Sequence, residues 1–142
     1  MPLSTVDKRA WLERVPLFAD CAPESLDRLA EATGELEFAA GQPIVLQGQI
    51  GNGLFIIISG TVRVMEGSTE LARVGAGGII GELAVIDQEP RTATVLAEMP
   101  VACLALASWD LLALLERDPQ LSLNLLKVMA RRLRDADERL RQ

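Results

Sequence analysis

The pattern of apolar and polar positions divides the chain into three segments. Residues 6–18 and 22–33 predict two short helices, the second with apolar side chains at helical spacing and Pro23 in a first-turn position. From residue 34 to 107 the pattern changes to short apolar or alternating runs separated by glycines: ELEFAA, PIVLQ, LFIIIS, TVRVM, ELARV, ATVLAE and VACLAL. Residues 108–142 return to helical spacing and predict two more helices, with Ser108 capping the first and Pro119 starting the second.

Many short strands between helical ends indicate a mainly β fold with flanking helices. We expect one domain over residues 1–142: N-terminal helices at about 1–33, an antiparallel β-roll at 34–107 and two C-terminal helices at 108–142. The β-roll would resemble a jelly roll or double-stranded β-barrel. A chain of 142 residues, 49% of them apolar, is sufficient for a single core.

Composition narrows the function classes. The net charge of −6 argues against a nucleic acid as the main partner, and the basic run at 124–142 is more typical of a solvated helix face than of a DNA site. The chain has no histidine and two widely spaced cysteines, Cys21 and Cys103, so we expect buried thiols and no metal site. It has no apolar run long enough to cross a bilayer and no signal-peptide pattern, which predicts a cytoplasmic protein.

The last predicted helix carries an apolar stripe with alternating spacings of 3 and 4, formed by Leu126, Met129, Leu133, Ala136 and Leu140. This spacing is typical of a coiled-coil seam. The same stripe could pack on the β-roll of its own chain, and two heptads do not separate these readings. A second copy of the chain is therefore one candidate partner, and an effector protein is another.

The stretch GELAVIDQEPRTATV, residues 81–95, holds the candidate chemistry. GELAVI is long enough for a short helix whose first N–H groups would favour an anion. Arg91 offers a planar fork that can hold a phosphate through two hydrogen bonds, and Glu82 is an acceptor suited to ribose hydroxyls. Together they have the chemistry of a site for a nucleotide monophosphate. The same two side chains could also form an ordinary ion pair.

This stretch resembles the phosphate-binding cassette of cyclic nucleotide-binding domains, the family of bacterial catabolite activator proteins, cyclic-nucleotide-dependent kinases and cyclic-nucleotide-gated channels. The resemblance extends from about residue 12 to residue 140 and is most specific at residues 81–94, hereafter the cassette. It implies that Glu82 accepts the ribose 2′-hydroxyl and that Arg91 pairs with the cyclic phosphate. The neighbouring cassette residues would shape the turn or support the phosphate: Gly81, Leu83, Ala84, Thr92 and Ala93.

The resemblance also implies contacts outside the cassette. Val64 and Ala72 fall where the family's strands meet the base, and Arg132 and Ala136 fall where its last helix closes over the ligand. The expected function is a cAMP or cGMP sensor that is not an enzyme and signals through its C-terminal helix. The helix-turn-helix that follows this helix in the bacterial regulators is not expected within these residues.

Two other functions fit part of the sequence pattern. A degenerate domain of this kind would bind a protein partner and no nucleotide, although the presence of Glu82 and Arg91 argues against it. A cupin-type enzyme would share a small β-barrel, but its metal site generally requires histidine ligands, which this chain lacks.

Overall fold

The computed structural model describes residues 3–51, 53–81 and 89–141. Its N-terminal part contains the two predicted helices, α1 (Thr5–Glu13) and α2 (Pro23–Ala32). The Ser4 hydroxyl caps α1 by accepting a hydrogen bond from the Asp7 N–H at 3.1 Å. Pro23 occupies the first turn of α2, where its missing N–H costs no intrahelical bond.

Within the described residues, eight strands follow: β1 (Gly34–Phe38), β2 (Pro43–Val45), β3 (Gly53–Ser59), β4 (Val62–Glu66), β5 (Thr69–Val74), β6 (Ile79–Ile80), β7 (Thr94–Ala97) and β8 (Val101–Ala107). Each of the seven runs predicted as strands contains or overlaps one of them. β6 was not predicted, because two residues are too few to show an alternating pattern.

The strands form two four-stranded sheets, ordered β1-β8-β3-β6 and β2-β7-β4-β5, and all the pairings are antiparallel. The mainly β fold with flanking helices is therefore confirmed. The two sheets do not close into one barrel among the described strands, since the pairings leave an edge strand on each side of both sheets. The jelly-roll-like arrangement is thus an open roll of two sheets.

Both faces of the first sheet are covered. One face packs on the helices in a core that contains Leu54, Leu104 and Leu106. The other face contributes Ile57 and Cys103 to a second core, which also contains residues of the β2-β7-β4-β5 sheet. Burial on both faces explains why β3 and β8 are almost continuously apolar instead of alternating with polar residues.

The chain ends in helices α3 (Ser108–Arg117) and α4 (Pro119–Arg141). The prediction that Ser108 caps α3 is wrong by one residue: Ala107 is the N-cap and provides no side-chain hydrogen bond. A real cap stands before α4, where an Asp118 carboxylate oxygen accepts the Leu121 N–H at 3.1 Å. The same carboxylate accepts hydrogen bonds from the Ser25 hydroxyl and, at 3.2 Å, from Arg28. Asp118 thereby joins the start of α4 to α2.

Candidate functional site

Arg91 is the buried polar centre of the candidate site, with 7% of its surface exposed. Its backbone is held by the loop between β2 and β3: the Arg91 N–H donates to the Gln49 carbonyl at 2.7 Å, and the Gly48 N–H donates to the Arg91 carbonyl at 2.8 Å. Its side chain is held by β3, because Nη2 donates to the Gly53 carbonyl at 2.5 Å. Two segments about 40 residues earlier in the chain therefore position this guanidinium.

Two glycines lie against that guanidinium. A Cβ atom added at Gly51 would lie 2.5 Å from Nε and Nη2 of Arg91, and one added at Gly81 would lie 2.8 Å from its Cζ. Real Cβ atoms essentially never come this close to another atom. Gly81 also has a φ of 87°, which side-chain-bearing residues rarely adopt. The site therefore requires glycine at both positions for a guanidinium in this place.

The environment of Arg91 suits an anion. A guanidinium withdrawn from bulk water interacts with a negative group at a lower effective dielectric than an exposed one does, so each contact is stronger. Thr92, the next residue, is exposed, and Ala93 is half-buried. A charged fork, a hydroxyl and a backbone amide thus occur within three consecutive residues.

The predicted cassette residues are only partly placed. Gly81 and Arg91 come together, as their contact shows. Glu82, Leu83 and Ala84, together with the short helix predicted at GELAVI, lie outside the described residues. The proposed ribose contact of Glu82 therefore stays a prediction from the sequence.

Val64 and Ala72, the predicted base contacts, lie directly opposite each other on β4 and β5. Val64 packs against the core between the sheets, and Ala72 is exposed. Because paired residues of neighbouring strands share a face, both belong to the face of this sheet that turns toward that core. Their role in binding a base stays a prediction.

The C-terminal helix divides into two parts. Leu121, Leu125 and Val128 are buried in the core against the helices and the first sheet. From residue 130 onward the helix is exposed, apart from the half-buried Arg132, and Ala136 lies in this exposed part. Packing therefore anchors the first three turns of this helix, whereas its later turns are exposed.

The apolar stripe on this helix also divides. Met129 packs against the core, as one reading of the stripe expected. Leu126, Leu133 and Leu140 are exposed by 66%, 72% and 85%, so this chain's own roll does not cover them.

The two cysteines are buried free thiols, as expected. The described residues contain no cluster of histidine, cysteine and carboxylate side chains able to hold a metal ion. Within the same residues, none of the helices combines the length and the apolar character required to span a bilayer.

Sequence reasoning missed the residues that hold Arg91 in place. In the sequence pattern, Gly51 and Gly53 indicate only breaks between strands, although a glycine beside a strand can also signal a close backbone approach. The pattern predicts Thr94 as a strand residue, and its hydroxyl also accepts the Gln47 N–H at 2.9 Å and ties β7 to the same loop.

The chain matches the family model of the cyclic nucleotide-binding domain over residues 35–118, which include the cassette and its supporting strands. The chain belongs to this family.

Individual relatives agree with this assignment. The cyclic AMP receptor protein of Thermus thermophilus is 38% identical over 127 residues, which are 86% of this chain and 59% of that protein. The cGMP-dependent protein kinase, isozyme 1, of Drosophila melanogaster is 39% identical over 105 residues, 68% of this chain and 14% of that protein. This chain covers only 59% and 60% of the first two bacterial regulators that it matches.

A solved structure gives the same picture. The N-terminal domain of a transcriptional regulator from Streptomyces coelicolor A3(2) aligns with a TM-score of 0.82 and 34% sequence identity, covering 92% of this chain and 94% of that one.

Proposed function

We propose that this chain binds a cyclic nucleotide monophosphate, cAMP or cGMP, and acts as a sensor and not as an enzyme. The observation that carries the proposal is the buried guanidinium of the cassette residue Arg91, which lies against Gly51 and Gly81. The names of the relatives support the same ligand class, since they include a cyclic AMP receptor and a cGMP-dependent kinase.

The phosphate would bind at Arg91. The Gly53 carbonyl fixes the orientation of the guanidinium, whose planar fork can address two phosphate oxygens at once. Thr92 and the Ala93 amide follow directly in the chain and would add donors. Such a site is organised before the ligand arrives, which lowers the entropic cost of binding.

The ribose would bind beside the phosphate. Gly81 packs against the Arg91 guanidinium, and the next residue, Glu82, begins one peptide unit or about 3.8 Å further along the chain. The carboxylate of Glu82 is suited to accept a ribose hydroxyl and is poorly suited to meet the phosphate itself. The base would then extend toward Val64 and Ala72.

The decisive experiment is calorimetry of the parent and three variants with cAMP, cGMP and their 2′-deoxy analogues. Arg91→Ala should weaken binding of all four by roughly 100-fold, since the loss of charge-assisted hydrogen bonds to a phosphate costs about 3 kcal/mol. Glu82→Gln should chiefly lose the preference for ribose over deoxyribose. Arg73→Ala is the control, because this arginine is 55% exposed and pairs with Glu70 and Glu98.

The result that would overturn the proposal is a folded parent protein that shows no saturable binding of either cyclic nucleotide. The chain would then be a protein-interaction module built on the same fold. Equal ribose preference in Glu82→Gln and the parent would remove only the sugar role of Glu82.

We further propose that occupancy is signalled through the exposed part of α4, from residue 130 onward. The first three turns are held by the core and by the cap at Asp118, so the distal part has the freedom to change its contacts. A ligand shifts such an equilibrium only through contacts that differ between the two states, and Arg132 and Ala136 are the residues proposed to make them. The change in α4 could be transmitted to a second copy of the chain through Leu126, Leu133 and Leu140, or to an effector protein.

Hydrogen exchange with and without saturating cAMP measures this signal. We expect protection to increase in residues 130–141 while residues 121–128 stay protected throughout. Repeating the measurement over a range of protein concentrations separates the two partners, since only a dimer gives concentration-dependent protection of the leucine stripe. Protection confined to the cassette would show that the domain binds without signalling through α4.

A further inference from the structure

Arg91 also lines a cavity of about 370 Å³. Its walls come from β1, β2, β3 and β8, from the loop that holds Arg91 and from the adjoining ends of α2 and α3. Gly51 and Gly53 line it, whereas among the described residues Gly81, Val64 and Ala72 do not. Among the described residues, the cavity therefore shares Arg91 with the proposed nucleotide site and none of the other residues proposed to bind there.

The walls of this cavity are apolar. Phe55 on β3 pairs directly with Ala105 on β8, and both contribute to the lining together with Ile44 on β2. Ala105 is small, so it leaves room where a larger residue would fill the space between the sheets. The volume lies within the range of pockets that hold small organic molecules.

Exposed apolar side chains also gather at this cavity. Leu36, Leu46 and Ile50 all line it, and they are exposed by 45%, 41% and 62%. Large apolar side chains left in water on one concave surface are a feature of binding sites. A ligand with an apolar body would cover them.

The charges of the lining define the polar end of such a ligand. Arg91 is the cation of the described lining and Asp110, in the first turn of α3, is its anion. Arg91 is buried and Asp110 is half-exposed, so water screens the carboxylate more than the guanidinium. An anionic head group at Arg91 is therefore favoured over a cationic one at Asp110.

We propose that this cavity binds a compact apolar carboxylate, with its carboxylate at Arg91 and its apolar body packed over Phe55 and Ala105. Carboxylate binding in this cavity does not depend on the proposed function, but one consequence of that binding does. Two anions would address the same guanidinium, so each should weaken binding of the other by the same factor. The cavity would then be an inhibitory site for cyclic nucleotide binding.

The probe is 2-naphthoate, with 2-naphthamide as its uncharged counterpart. Binding to the full chain is followed by amide chemical shifts in NMR spectra, which also report where the probe sits. We expect saturable binding with shifts around Leu36, Ile44 and Phe55, and an affinity about fivefold or more above that of the amide. Saturating naphthoate should weaken cAMP binding about threefold or more.

The variant that tests the location is Ala105→Leu, which fills the cavity from within. It should weaken naphthoate binding about tenfold or more and leave cAMP binding in place. The matched control is Ala102→Leu on the same strand, since Ala102 does not line the cavity. This control should bind the probe as the parent does.

Three results would overturn the inference: no saturable naphthoate binding up to about 10 mM, equal binding by Ala105→Leu and the parent, or cAMP binding that is indifferent to saturating naphthoate. If naphthoate binds as expected while no cyclic nucleotide binds at all, the cavity assignment holds and the proposed function fails.

Discussion

Gly51→Ala tests whether the position of the Arg91 guanidinium controls ligand binding. An added Cβ would lie 2.5 Å from Nε and Nη2, whereas ordinary contact begins at 3.4 Å, so the guanidinium must move by about 1 Å. That shift is enough to break its 2.5 Å hydrogen bond to the Gly53 carbonyl and to misdirect the fork toward Gly81. Gly51 does not have the left-handed backbone of Gly81, so the substitution perturbs the side chain without straining the turn.

The expected loss follows from the contacts that Arg91 would make. Misaligning one or two charge-assisted hydrogen bonds costs about 1.5–3 kcal/mol, or a roughly 10- to 150-fold weaker affinity for cAMP and cGMP. Calorimetry measures the affinity, and thermal unfolding checks that the variant stays folded. Gly34→Ala is the matched control, because nothing lies within 4 Å of a Cβ at that position and its φ is not positive. Parental affinity in a folded Gly51→Ala protein would refute the reasoning.

Two predictions concern the rest of the molecule. Asp118→Ala should lower the free energy of unfolding by about 2 kcal/mol at pH 7, because it removes the cap of α4 and the bonds to Ser25 and Arg28. The Ser25 hydrogen bond holds the pKa of Asp118 below its usual range. The contribution of Asp118 to the free energy of unfolding is therefore present above its pKa in the unfolded chain, about 3.9, and is lost as the pH falls through its lower pKa in the folded protein. Denaturant unfolding of the parent and of Asp118→Ala between pH 2 and pH 7 measures this contribution, and Asp137→Ala, at an exposed position, is the control. A difference in stability between Asp118→Ala and the parent that does not change with pH would contradict the prediction. Burial raises the pKa of the Cys103 thiol to about 11 and also raises that of Cys21, so neither should react with a thiol reagent at pH 8 until the protein is denatured. Rapid labelling of the native protein would show that these thiols are accessible.

The sequence by itself determined the elements and the candidate chemistry. Apolar spacing and glycine punctuation placed both pairs of helices and seven strands, because a helix or strand shows its buried face as a repeat of 3.6 or 2 residues. The order of Gly, Glu, Pro and Arg in the cassette carried the resemblance to cyclic nucleotide-binding domains, and that resemblance pointed to a nucleotide. These signals are local, so they can be read before the path of the chain is known. The two-residue strand β6 and the cap at Asp118 were not predicted, because neither is long enough to show such a repeat.

Only the tertiary structure decided what surrounds the functional group. The guanidinium of Arg91 meets Gly51 and Gly53, which lie about 40 residues away, and their contact depends on how the two sheets bring the β2–β3 loop beside the end of the cassette. The sequence also leaves open what the leucine stripe on α4 packs against, since the same spacing occurs in helices that pack on their own core and in helices that pair with a partner. The fold buries Met129 and leaves Leu133 in water, because α4 extends past the sheet that covers its first turns.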